Sequence, residues 1–237
     1  MCSELAVGYE GEIQKEEASL LAKQLNLPLN NKALKRLVLT SDKLVLHIQP
    51  FLPIYSNFTR EFWQKRRQEG KTQGLVRACK PKTGMRIVDA TAGWGKDAAI
   101  LASFGAEVVM VERNPIMATL INDALSRREG EEHPLLLHLI NQDAISYLTN
   151  LTKAQYPDVI YLDPMHPARQ KAALVKKELQ VLQQLIAPDI DALELLNIAR
   201  KRCLQKVVVK WPAQASPLLN PSSSIVGKTV RFDSYLP

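Results

Sequence analysis

The sequence predicts an α/β protein, a mostly parallel sheet with helices on both faces, and three observations carry that reading. From Met85 onward, strand-length apolar runs alternate with helix-length segments. The runs "MRIVDA", "EVVMVE", "LLLHLI", "DVIYLD" and "KVVVKW" are apolar nearly throughout, as in strands covered on both faces. A glycine-bearing turn, "TAGWGK", leads from the first of these strands into the first helix.

Taken in order, residues 12 to 25 place Ile13, Leu20, Leu21 and Leu25 along one helical face. Residues 36 to 48, "RLVLTSDKLVLHI", read as two short strands around a polar turn. These elements predict a small N-terminal α+β element over residues 1–58. A basic helical linker, broken near Gly70, follows over residues 59–84, and the main domain occupies residues 85–237. Within that domain "GKDAAILASF" is a helix stopped by Gly105. "NPIMATLINDALSRR" is a helix with Asn114 as N-cap and Pro115 at its first position. "DAISYLTNL" predicts a short helix, residues 168–186 a long amphipathic one, and residues 190–203 another. "TVRFDSYL" closes the sheet, and "SPLLNPSSS" reads as a loop.

A chain of 237 residues, 46% of them hydrophobic, can bury a sizeable core. It holds no apolar run of about 18 residues, so no membrane partner is expected. The start, "MCSELAVGYEGEIQKEE", lacks the charged and then apolar regions of a signal peptide. Cys2, Cys79 and Cys203 are scattered and without CxxC spacing, which fits thiols in a reducing cytoplasm. His47, His133 and His138 have no Cys, Asp or Glu at ligand spacing, so no metal is expected. The net charge is +7, and residues 60 to 86 alone hold nine Lys or Arg against two Glu. The remainder of the chain is therefore neutral, and the localised excess points to a polyanionic partner.

Ligands of such sheets sit beyond the carboxyl ends of the strands. Gly93 and Gly95, with Ala98 in third place, allow a tight turn and close backbone approach, a pattern shared by NAD, FAD and S-adenosylmethionine sites. Three acids at strand ends narrow the choice. Asp89, directly before the turn, suits a cationic amino group and serves a pyrophosphate poorly. Glu112 ends the second strand, where an acid accepts hydrogen bonds from ribose hydroxyls, and Asp143 after the third is placed to meet an adenine edge.

The segment "YLDPMHP" after the fourth strand carries the chemistry. It resembles the [DN]PP[FYW] loop of methyltransferases that act on planar amines. An amine conjugated to a base ring is a poor nucleophile. Asp163, aided by a nearby backbone carbonyl, can accept its N–H groups and draw the lone pair out of conjugation. Pro164 sets the turn, and His166 can stack on a base.

The stretches "VDATAGWGKDAAILASFG", "VERNP", "YLDPMHPARQKAALVKKE" and "KVVVKWP…GKTVRFDSYL" resemble the bacterial small-subunit (16S) ribosomal RNA guanine-N2 methyltransferase J family, over residues 34–237. The resemblance implies a class I, Rossmann-like methyltransferase domain with a mostly parallel seven-stranded sheet and S-adenosylmethionine as donor. The implied substrate is one guanosine of 16S ribosomal RNA, free or in the small ribosomal subunit. By matching motif, donor contacts fall on Lys96, Asp97, Glu112, Arg113, Asp143, Ala144 and Asp163. RNA contacts are expected from Arg66, Arg67 and Lys71 of the basic segment, and from Arg169, Lys171, Lys176 and Lys177 of the helix after the loop. His166 departs from the bulky apolar residue that the family usually has there, and adds an imidazole that protonates at about pH 6 to 7. The residue after the third strand also differs from the family's small hydroxyl residue. Adenine-N6 and glutamine-N5 methyltransferases use a similar loop, which "DPMHP" matches less well. A nicotinamide-dependent oxidoreductase would leave the loop and the basic segment unexplained, and a noncatalytic RNA-binding module would have no use for Asp163 and the glycine turn.

Overall fold

The computed structural model describes residues 5–128, 135–165 and 191–237, which form two sheets. The smaller is built from β1 (Leu5–Tyr9), β2 (Lys35–Leu39) and β3 (Leu44–Ile48), in that order. β2 and β3 form the expected antiparallel hairpin, its turn tied by the Thr40 hydroxyl donating to Lys43 O at 2.8 Å. β1 runs parallel to β2 and reaches it through helix α1 (Lys15–Gln24). The strand was not expected: "LAVGY" is only five residues long and carries no flanking turn signal. Of the four residues that the spacing places on the helical face, Leu21 and Leu25 pack against the core and the other two do not. Ile13 precedes α1 and is 91% exposed, and Leu20 is exposed as well. The helix also buries Ala18 and Ala22, whose small side chains bring its backbone close to the sheet.

The basic segment folds as α2 (Arg60–Gln68) and α3 (Gly74–Cys79), with the break at Gly70, where φ is +46°. Leu75, Val76, Ala78 and Cys79 of α3 are buried in the main core. The larger sheet then begins. Its elements are β4 (Arg86–Asp89), α4 (Lys96–Ser103), β5 (Glu107–Val111), α5 (Pro115–Ser126), β6 (Leu137–Ile140), α6 (Ala144–Thr149) and β7 (Val159–Leu162). After them come α7 (Ala192–Arg200), β8 (Lys206–Pro212), β9 (Ser223–Val226) and β10 (Val230–Tyr235). The strand order is β6-β5-β4-β7-β8-β10-β9, parallel from β6 to β8, with β10 antiparallel to both β8 and β9. β9 includes Ser223 and Ser224 of the segment expected as a loop. It is an edge strand with largely exposed residues, so no apolar alternation marks it.

Parallel strands that are apolar throughout need cover on both faces, and this sheet has it. Along β7, Val159 and Tyr161 enter the core on one face, while Ile160 and Leu162 enter the core on the other. α5 starts as the sequence predicts: the Asn114 side chain accepts from the N–H groups of Ile116 and Met117, and Pro115 stands at the first position. Its apolar face, Ile116, Met117 and Leu120, packs with Leu37, Leu46 and Ile48 of the smaller sheet. Among the described residues no helix is long and apolar enough to cross a membrane. Chain order reverses at β4, which lies between β5 and β7, so a crevice opens beyond the carboxyl ends of these strands.

Candidate active site

Two cavities meet in that crevice. The first lies over β4, β5 and the start of α6, and Glu112 lines it. This carboxylate is 6% exposed. One oxygen accepts from Gly93 N at 2.9 Å and the other from Asn114 N at 2.8 Å, so Glu112 ties the glycine turn to the cap of α5. Asp143 caps α6 by accepting from Ser146 N at 2.9 Å and also lines the cavity, with Ala144 beside it. Arg113 lines the rim and donates to Asp191 at 2.9 Å.

The two glycines of the turn serve different ends. Both have positive φ, +54° at Gly93 and +71° at Gly95. A Cβ at Gly93 would meet nothing nearer than Thr91 O at 3.9 Å, so its absence leaves open space against the cavity, where a ligand can approach the backbone. A Cβ at Gly95 would stand 2.6 Å from the buried ring of Phe58. Gly95 lines neither cavity and is required for packing.

The second cavity, about 550 Å³, is walled by α2, α4, β7 and β8. A network of charged side chains runs along it. Asp97 accepts from Arg66 at 2.6 Å on one oxygen, and from the Tyr161 hydroxyl at 2.7 Å and Lys210 Nζ at 2.9 Å on the other. The same Lys210 ammonium lies 2.7 Å from Asp163 Oδ2, and the backbone N–H of Asp163 donates to Thr91 Oγ1 at 2.6 Å. Burial alone would push the Asp97 carboxyl up, but the Lys210 and Arg66 cations and the Tyr161 hydroxyl hold it well below the usual carboxylate range. Burial would likewise lower Lys210, yet Asp163 and Asp97 keep its ammonium charged above the ordinary lysine range. Asp89, 1% exposed at the end of β4, behaves oppositely: burial, reinforced by the charge of Asp97, pushes it well above the usual range. Thr91, Gly93, Asp163 and Met165 line both cavities and form the wall they share.

The structure thus gathers most of the residues singled out in the sequence. Glu112, Arg113, Asp143 and Ala144 face the first cavity; Asp89, Lys96, Asp97 and Arg66 face the second; Gly93 and Asp163 face both. Pro164 is buried behind the loop and lines neither. Arg67 turns away, donating to Ser103 O at 2.9 Å at the end of α4 and lying over the Phe104 ring. Lys71 belongs to the short turn between α2 and α3. His166, Arg169, Lys171, Lys176 and Lys177, with the long helix expected over 168–186, lie outside the described residues. Sequence reasoning missed Phe62, Trp63, Tyr161 and Lys210, all of which line the second cavity. Lys210 had a signal, a lysine inside the otherwise apolar run "VVVKW". Among the described residues no group of three or more His, Cys, Asp or Glu is placed to hold a metal ion.

A parallel sheet with its crevice at the switch point, a buried acid beyond β5 and a DPM loop beyond β7 define a class I methyltransferase, an enzyme that takes its methyl group from S-adenosylmethionine. Residues 20–237 match the family model for a SAM-dependent methyltransferase. The chain is 58% identical over 233 residues to the ribosomal RNA small subunit methyltransferase J of Legionella pneumophila strain Lens, covering 98% of this chain and 96% of that one. The protein of the same name from Coxiella burnetii strain Dugway is 41% identical over 247 residues, with the same coverage of 98% and 96%. The crystal structure of a SAM-dependent methyltransferase from Neisseria gonorrhoeae superposes with a TM-score of 0.73 at 26% identity, covering 98% of this chain and 96% of that one. The chain belongs to the ribosomal RNA small subunit methyltransferase J family.

Proposed function

We propose that this enzyme methylates the exocyclic N2 amine of a guanosine in 16S ribosomal RNA, free or within the small ribosomal subunit, in the cytoplasm. The relatives' shared name supports the RNA class. The observation that carries the chemistry is Asp163, held by Lys210 and Thr91 on the wall between the two cavities.

The first cavity suits the donor: Glu112 for the ribose hydroxyls, Asp143 and Ala144 for the adenine, and the open backbone at Gly93, with Arg113 at the rim. Asp89 and Lys96 border the donor's other end from the second cavity. Bound there, S-adenosylmethionine supplies an electrophilic methyl group. The second cavity suits the target base. Asp163 accepts an N–H of the guanine amine, which turns the nitrogen lone pair out of the ring system and orients it toward the shared wall. The proton that the amine loses on methylation passes to this carboxylate and on to solvent. Lys210, anchored by Asp97, keeps Asp163 in one position and compensates the negative charge that the acid carries before it takes the proton. Pro164 shapes the loop, and His166 is assigned to the base. Residues 1–58, the basic segment 59–84 and the catalytic domain 85–237 form the proposed division of labour. Arg66, Arg67, Lys71, Arg169, Lys171, Lys176 and Lys177 are assigned to RNA, and Arg66 reaches the base cavity itself.

Nucleoside analysis by mass spectrometry of 16S RNA from cells with and without the gene tests the reading. The expected result is one N2-methylguanosine lost with the gene and regained with it. An unchanged N2-methylguanosine content, or loss of N6-methyladenosine instead, overturns it.

A further inference from the structure

We propose that Phe62 is the plate on which the target base stacks. The inference rests on the proposed function of the same cavity and adds a substrate contact to it. Phe62 lies in the first turn of α2 and is 42% exposed. Of its aromatic neighbours in the chain, Phe58 is fully buried, and Trp63, which also lines the cavity, is partly buried against the same core. Phe62 joins no core cluster, yet it lines the cavity that holds Asp97, Asp163 and Lys210. The Lys96 ammonium stands over one face of its ring, 5.5 Å from the centre, so the base is assigned to the opposite face. Arg60, Lys65, Arg66 and Arg67 share its helix.

An exposed aromatic ring at the wall of a polar cavity, among cations, is the combination that binds an unstacked nucleotide. A base taken out of its helix loses its stacking partners, and that loss must be offset within the enzyme. A phenyl ring offers a flat apolar face to any base, while surrounding cations hold the backbone. The cavity supplies directional groups for the base edge in Asp163 and Lys210, and Phe62 supplies the surface for its face.

The test uses 16S RNA and small subunits isolated from cells lacking the enzyme. Phe62→Ala should raise KM for this RNA by about 10- to 100-fold, the range expected for loss of one aromatic stack. Affinity for S-adenosylhomocysteine, measured by calorimetry, should stay within about twofold, and a melting temperature close to that of the wild type should accompany it, because Phe62 lies outside the core clusters. Phe62→Tyr should restore KM, whereas Phe62→Leu, apolar but not flat, should not. A KM for Phe62→Ala within twofold of wild type, or full rescue by leucine, overturns the stacking role while leaving the methyltransferase reading intact. A wild-type enzyme inactive on both RNA forms overturns both.

Discussion

Glu112 and Asp97 are both largely buried acids within one crevice, but they are held in different ways. Glu112 accepts hydrogen bonds on both oxygens from backbone N–H groups, at residues 93 and 114, close to it in the chain or one strand away. Asp97 receives its bonds from the side chains of Arg66, Tyr161 and Lys210, which come from three separate elements. The first cavity, proposed for the donor, thus has its central acid held by a backbone turn and a helix cap. The second cavity, proposed for the target base, is assembled from side chains that only the tertiary fold brings together. A site of the first kind tolerates change in distant elements, and a site of the second kind does not.

The sharpest way to separate the two sides is to remove the acid at their boundary. Asp163→Ala should lower kcat by about 10²- to 10⁴-fold, the span of general acid–base contributions, with a much smaller loss of donor affinity. Lys210→Met should follow it in the same direction by about 10- to 10²-fold, again with the larger effect on turnover. Single-turnover methylation alongside calorimetry with S-adenosylhomocysteine checks both. If donor affinity falls as far as turnover, the two sides are not separable.

Next in size is the converse change. Glu112→Ala removes the acceptor of two backbone N–H groups, and a hydrogen bond to a charged group contributes about 1.5–3 kcal/mol. Donor affinity should drop by roughly 10- to 100-fold. At saturating donor, kcat should stay within about fivefold of wild type. A kcat that collapses at saturation would show that Glu112 serves the acceptor side too.

The smallest effect concerns stability and pH. Asp89 is raised in the folded state by burial and by the charge of Asp97, so the native protein holds this proton more tightly than the unfolded chain does. Its contribution to stability is present below the ordinary carboxylate range and is lost as pH rises through the folded value. Asp97 is depressed, so it acts in the opposite sense and at lower pH, contributing above the ordinary range and losing that contribution as pH falls. Asp89→Asn should therefore raise the melting temperature of the ligand-free enzyme at neutral pH by roughly 2–4 °C and flatten its decline above the carboxylate range. A lower melting temperature at neutral pH would mean that the charged form of Asp89 is satisfied in the fold.

This contrast also explains what the sequence made legible. Asp89, Gly93, Glu112 and Asp143 stand at strand ends in regular order, and the periodicity of the strands points to each of them. Asp163 was accessible through its loop. Gly95 shares the motif with Gly93, but its requirement comes from Phe58, 37 positions earlier, and no local pattern separates the two glycines. Arg66 was visible as a basic residue destined for RNA, while its bond to Asp97 depends on how α2 docks against α4. Tyr161 sits inside a strand that reads simply as core, and the lysine that interrupts "VVVKW" marks Lys210 without saying which acids it meets. The face of α1 was legible in half: Leu21 and Leu25 of the leucine stripe pack on the core, but close approach through Ala18 and Ala22 leaves Leu20 exposed.

The wall made by Thr91, Gly93, Asp163 and Met165 belongs to both cavities. Any occupant on one side therefore touches the residues that bound the other, and the two binding equilibria form a thermodynamic cycle. Whatever factor a bound donor applies to the affinity for RNA, RNA must return to the donor in equal measure. With the donor placed in the first cavity as proposed, the spent donor, which lacks the methyl group, enters the same cycle with its own factor. The difference between the two factors is the leverage with which methylation itself can release the finished RNA.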